Sequence, residues 1–184
     1  MKIISGLYRG RMIDGFDIVG TRPTMERVKE SLFAMIQDYI KDSVVLDLFS
    51  GSGNLGIEAL SNGASYAYLV DNNNKAISVI NNNISKLKID NAESINMDYR
   101  KALLYFKDNN IKFDIIFLDP PYNSRQYSRF YHVIENLVEW EKPELFGVAL
   151  KPKEKNMSDY CRNNAPKVFN DLVKKLNCKH IAVT

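Results

Sequence analysis

The stretch from Val44 to Asn62 limits the possible folds more than any other part of the chain. Val44-Val45-Leu46-Asp47-Leu48-Phe49 is a short, almost wholly apolar run that reads as a buried strand. It leads into Gly51-Ser52-Gly53-Asn54-Leu55-Gly56, and Gly56 to Asn62, with Ile57, Ala59 and Leu60, reads as a helix. The alternation then continues. Ala67–Asp71 is a second strand ending in an acid. Lys75–Leu87 carries Ile77, Ile80, Ile84 and Leu87 at helical spacing. Ser94–Asn96 is a weak third strand, Tyr99–Phe106 a short helix, and Phe113–Leu118 a fourth, strongly apolar strand. Strands and helices in this order predict a Rossmann-like α/β fold, a doubly wound and mostly parallel sheet. In such sheets ligands bind beyond the carboxyl ends of the strands. The polar residues of interest around strands one to four all fall there.

At 184 residues, 45% hydrophobic and 26% charged, the chain is expected to fold as a single domain with a sizeable core. Within it, residues 1–40 form an appendage, 41–122 a cofactor-binding core, and 123–184 a divergent C-terminal part. In the appendage, Ile3–Gly6 and Arg11–Ile13 can pair as a hairpin through Tyr8-Arg9-Gly10. Thr24–Ile40 reads as an amphipathic helix capped by Thr24, with Val28, Leu32, Met35, Ile36, Tyr39 and Ile40 as its apolar stripe. Ile181–Thr184 reads as a fifth strand. No later segment supplies the antiparallel hairpin that usually closes such a sheet, so that hairpin is expected to be missing.

The net charge of +3 neither requires nor opposes a nucleic-acid partner. Cys161 and Cys178 form neither a disulfide framework nor a metal cluster, so no metal is expected. No secretory leader is visible, and no apolar run approaches the roughly 20 residues that span a bilayer. A cytoplasmic protein with no membrane partner is expected. His132 and His180 receive no catalytic role.

The glycine turn alone fits a dinucleotide site, a mere tight turn, or an adenosyl cofactor. Asp47 helps to discriminate, because a carboxylate there suits a cofactor's ammonium and repels a pyrophosphate. Gly51, Gly53, Asn54 and Gly56 are candidate cofactor contacts. Asp71, with Asn72 beside it, can accept from ribose hydroxyls, a role shared with NAD enzymes. Asp98 can accept from an adenine amine or simply cap the helix at Tyr99.

Asp119-Pro120-Pro121-Tyr122 follows the fourth strand. Asp119 can accept one N–H of an exocyclic amine, and the rigid Pro120 backbone can offer a carbonyl to the other. Tyr122 can stack on a base taken out of its helix. The plainer readings are a loop cap for Asp119 and core packing for Tyr122. Together with the turn, the tetrad points to methyl transfer from S-adenosylmethionine to a nucleic-acid base amine. The other readings are an NAD oxidoreductase and a catalytically silent nucleic-acid-binding module.

With these motifs in hand, residues 3–122 resemble the RsmD family, which methylates guanine N2 in small-subunit ribosomal RNA. The segments that carry the resemblance are Ile3–Arg11, Arg22–Phe33, Leu46–Leu60 and Asp119–Tyr122. It implies S-adenosylmethionine as cofactor, ribosomal RNA or the small subunit as partner, and an N-terminal hairpin near the RNA. Arg9, Arg11, Arg22 and Arg27 become candidate RNA contacts, although Arg27 also suits an ordinary surface helix. Past Tyr122 the pattern departs. Asn123–Tyr127, Trp140–Gly147 and Asn177–His180 look like an adenine-N6 DNA methyltransferase of the D12 type. Asn123 is a substrate-binding candidate for either base, and DNA adenine is the alternative substrate. Tyr127, Phe130, Tyr131 and Trp140 suit either a base-stacking wall or a buried helix face.

Overall fold

Strand β1, Val44–Leu48, is the centre of a five-stranded, wholly parallel sheet. The computed structural model describes residues 1–16, 26–120, 145–146, 151–152, 160 and 164–184. In chain order come α1 (Glu26–Ile40), β1, α2 (Asn54–Ser61), β2 (Tyr66–Asp71), α3 (Asn74–Leu87) and β3 (Ala92–Asn96). Then follow α4 (Tyr99–Asp108), β4 (Phe113–Leu118), β5 (Leu145–Phe146), β6 (Lys151–Pro152), α5 (Ala165–Val173) and β7 (Cys178–Val183). The large sheet has the order β3-β2-β1-β4-β7. The final strand is therefore its fifth member, and it runs parallel to β4 with Phe117 opposite Ala182.

The chain divides into two compact units. One comprises Met1–Phe16, Pro23–Pro120 and Leu176–Thr184, and holds the five-stranded sheet. The other comprises Asp17–Arg22 and Pro121–Lys175. It contains the two-residue antiparallel pair β5–β6 and helix α5, with Leu172 buried and a proline in the first helical turn.

In the sheet unit the inner strands are buried on both faces, as covered parallel strands must be. Val45, Ile115, Phe117 and Ala67 lie in one core with Ile57 and Leu60 of α2 and Phe33 of α1. Phe33 stacks on Phe117 at 5.7 Å between ring centroids. Tyr68, Phe106 and Phe113 meet edge-to-face in an aromatic cluster, with centroids 4.9 to 5.7 Å apart.

The apolar stripe of α1 differs from the sequence reading. Lys29, Leu32, Phe33 and Ile40 are buried, whereas Val28, Met35 and Tyr39 are exposed. The cause is a charge partner inside the protein. Lys29 Nζ lies 2.8 Å from Glu58 Oε2. A lysine thus occupies the inward position next to the one that hydrophobicity assigns to Val28. Helix α2 begins at Asn54, two residues before the expected start, because left-handed Gly53 (φ 78°) acts as its cap.

The N-terminal hairpin forms around a single antiparallel bridge, Lys2 to Met12. Ile3 N donates to Arg11 O and Gly10 N to Ile3 O. Its turn is fastened to the carboxyl end of α2, where Leu7 N donates to Ser61 O at 2.7 Å and Tyr8 N to Ser61 Oγ at 2.9 Å. Gly6 makes this approach possible, with φ 76° and a position where a Cβ would lie 1.7 Å from the Ser61 carbonyl oxygen. Gly6→Ala is expected to cost roughly 3 kcal/mol or more in chemical denaturation. Gly10→Ala, left-handed at 81° but with open space at its Cβ, should cost about 1 kcal/mol. Equal losses would mean that the hairpin does not rest on α2.

Candidate active site

Two chain segments far apart in sequence leave the sheet side by side. β1 and β4 are adjacent and parallel, with Leu48 opposite Leu118. The glycine turn after Leu48 and the Asp119-Pro120 corner after Leu118 thus emerge at one edge, on strands about 5 Å apart. Asp119 is half-buried and Pro120 buried. β2 ends at this edge with Asp71, and β3 leads there to Asp98.

The turn is held by its own acids. Asp47 is 1% exposed, and its Oδ2 accepts the Gly56 N–H at 2.9 Å. Asp71 Oδ2 accepts the Gly51 N–H and Oδ1 the Asn73 N–H, both at 2.9 Å. Gly53 N donates to Ser50 O at 2.7 Å. The three glycine N–H groups are therefore already bonded within the protein, to carboxylates or a carbonyl. A pyrophosphate, which binds glycine turns through free N–H groups, would have to displace them. Gly56 also has to be small, because a Cβ there would lie 2.1 Å from Leu69 Cδ2.

Acidic side chains are concentrated here. Burial pushes the Asp47 carboxyl up to about 7, with Asp119 and Asp71 adding repulsion and the Gly56 N–H opposing it. Burial also raises Asp71, against backbone hydrogen bonds from Asn73, Gly51 and Asn72. An edge of this kind favours a ligand that brings positive charge.

Phe49 and Tyr99 also stand at this edge, and neither is among the candidates read from the sequence. Phe49 has φ 81°, a strained conformation for a bulky residue. That turn lets Phe49 N and Ser50 N converge on the single Val70 carbonyl, at 3.1 and 2.9 Å. Its ring lies 5.1 Å from that of Tyr99, and the Arg100 guanidinium stands 5.2 Å from the Tyr99 ring centre. Aromatics directly after a strand and directly after a capping acid were the available signals.

The remaining candidates are scattered. The Asn54 side chain is turned inward, accepting from Lys29 Nζ at 2.8 Å. Asn72 is exposed beside Asp71. Asp98 Oδ1 caps α4, accepting from Arg100 N at 2.9 Å. Arg27 is exposed in the first turn of α1, two residues from Lys29 and so at the glycine-turn end of the molecule. Arg9 and Arg11 are exposed at the other end. Arg11 reaches the Lys86 carbonyl near the end of α3, and the hairpin turn meets the end of α2. Helix α2 alone spans about 12 Å, so neither arginine shares the edge with Asp119. Arg22, Tyr122 and Asn123 lie outside the described residues, as do Thr24 and the aromatics Tyr127 to Trp140.

This arrangement is that of a Rossmann-like methyltransferase sheet. The family described as Conserved hypothetical protein 95 matches residues 1–167, well past Tyr122. Ribosomal RNA small subunit methyltransferase D of Buchnera aphidicola subsp. Acyrthosiphon pisum is 39% identical over 144 residues, covering 78% of this chain and 74% of that one. The protein of the same name from Escherichia coli K12 is 34% identical over 136 residues, covering 74% and 67%. The solved structure of a hypothetical protein from Thermus thermophilus superposes with a TM-score of 0.60 at 25% identity, covering 76% of this chain and 77% of that one. The chain belongs to the RsmD family, and it is a methyltransferase. Among the described residues no helix is long and apolar enough to cross a membrane.

The titration of Asp47 has a measurable sign. Its folded value is raised, so the folded protein keeps a proton that the unfolded chain loses above about pH 4. The stability linked to that proton is present in acid and is lost as pH rises towards 7. Asp47→Asn should flatten the stability profile, removing a drop of roughly 2–3 kcal/mol between about pH 5 and pH 8. Denaturation at each pH checks this, and an unchanged slope would assign the drop to other groups.

Proposed function

We propose that this protein transfers a methyl group from S-adenosylmethionine to guanine N2 of small-subunit ribosomal RNA. One observation carries the reading: the glycine turn and Asp119-Pro120 share an edge where the acids Asp47, Asp71 and Asp119 gather. That charge suits a cofactor bearing a sulfonium and an ammonium. It is hostile to the diphosphate of NAD.

In this reading the backbone of residues 51–56, held in shape by Asp47 at the Gly56 N–H, takes the amino-acid end of the cofactor. Asp71 and Asn72 take the ribose. Asp98, Phe49 and Tyr99 receive the adenine, the acid at its amine and the rings against its face. When bound, S-adenosylmethionine supplies an electrophilic methyl whose bonding electrons stay with sulfur as a neutral thioether.

The protein's share is to orient the nucleophile. A base amine is weakly nucleophilic because its lone pair feeds the ring. Asp119 accepts one of its N–H groups and the Pro120 carbonyl the other, which aligns the lone pair with the methyl. Tyr122 stacks on the base. The nitrogen gains the methyl and releases one proton, for which Asp119 is the acceptor at hand. Holding two reactants in line accounts for much of the rate, and neither a metal nor a covalent intermediate is required. Arg27 contacts the RNA near the target, and Arg22 and Asn123 are further RNA contacts in this reading. Arg9 and Arg11 reach phosphates farther along it.

Asp119→Ala is expected to lower kcat at least about 100-fold on small subunits that lack the modification, while S-adenosylmethionine affinity changes less than about threefold. Mass spectrometry of the product identifies the base. Undiminished transfer by the variant would remove Asp119 from the mechanism. N6-methyladenine in unmethylated DNA, with no RNA product, would replace the substrate. No transfer to either by the wild-type protein would leave a silent binding module.

A further inference from the structure

We propose that Lys29 is a positioning residue for methyl transfer, acting through Asn54 on the glycine turn while tying that turn to the N-terminal hairpin. The inference rests on the cofactor reading above.

Lys29 is 1% exposed. Its ammonium has three N–H groups, and three acceptors surround it: Lys2 O at 2.9 Å, Asn54 Oδ1 at 2.8 Å and Glu58 Oε2 at 2.8 Å. Glu58 is wholly buried and also accepts from Ile4 N, Ser5 N and Ser5 Oγ. An apolar pair could fill this space without desolvating two charges, and burying such a pair often gains no stability over that alternative. What an apolar pair could not do is grip Asn54 and the Lys2 carbonyl.

Asn54 is the residue after Gly53, the left-handed corner of the turn. The other flank of that corner is held in the same way. Asn83 is wholly buried, and its Nδ2 donates to Ser52 O at 3.0 Å. The same amide donates to Asp14 O and accepts from Asp14 N, at 3.1 and 2.8 Å. The turn is thus clamped at Ser52 and at Asn54, one residue to either side of Gly53. Both clamps continue into residues 1–16. Release of the Asn54 clamp frees the start of α2, and with it the Gly56 N–H that orients Asp47. Cofactor binding then weakens before the chemical step is touched.

A double-mutant cycle tests this, using Lys29→Met, Asn54→Ala and the pair. Calorimetry gives the S-adenosylmethionine affinity, and steady-state kinetics give KM and kcat on unmodified small subunits. Each single variant should bind the cofactor about tenfold more weakly and raise its KM in proportion, with kcat at saturation within about threefold of wild type. The pair should bind the cofactor no more weakly than Lys29→Met alone, because the Lys29–Asn54 bond is already lost in each single variant. Additive losses would mean that Asn54 and Lys29 act separately, and the proposal fails. Should Lys29→Met not fold, Asn54→Ala decides alone, since it leaves Lys29 its bonds to Glu58 and Lys2. Wild-type affinity in that variant refutes the proposal, and about tenfold weaker binding with kcat retained supports it. A wild-type protein that binds no S-adenosylmethionine would refute the cofactor reading itself, which is a separate result.

Discussion

The pairing of β1 with β4 is the constraint from which the chemistry follows. Parallel neighbours must end on the same side, and Leu48 opposite Leu118 leaves no offset between them. The glycine turn and the Asp119-Pro120 corner, with three helices and two strands between them in sequence, are thereby made adjacent. β2 adds Asp71 and β3 adds Asp98 by the same rule. The site is in this sense a property of sheet order. In the proposed reading the reactive groups sit just past the strand ends, and the strand pairing in the core sets the distances between them.

The electrostatics follow from that convergence. Parallel strands with an acid at or near the carboxyl end crowd those side chains together, and Asp47 is the most buried of them. The backbone answers in part, with N–H groups of Gly56, Gly51 and Asn73 turned towards oxygen. This also distinguishes the turn from a phosphate cradle of similar sequence. The same spacing of glycines serves opposite charges, according to whether acids have already claimed the N–H groups.

Much of the sheet was legible because its strands are short apolar runs with turn residues between them. Phe113–Leu118 was found to the residue, and β7 was recognised as the fifth strand although it begins three residues earlier than its apolar end suggests. The acids at the strand ends were legible because their positions relative to the glycines carry chemical meaning. The inward face of α1 was not. Hydropathy places a lysine outside, and only the distant Glu58 explains why Lys29 lies within. The inward turn of the Asn54 side chain is hidden for the same reason, since its partner lies on another helix. Phe49 was counted as the end of a strand, since nothing in its neighbours announces a left-handed backbone.

The anchoring of residues 1–16 bears on how the chain acquires its fold. Ile4 and Ser5 bond to a side chain 54 and 53 positions later, and Asp14 to one 69 positions later. During synthesis these residues emerge before α2 and α3, so nothing they grip exists until both helices have followed. Non-local closures of this length are slow compared with helix formation. This hairpin is consequently among the last segments to settle, and it waits as an unpartnered arm bearing Leu7, Arg9 and Arg11 while the sheet assembles behind it.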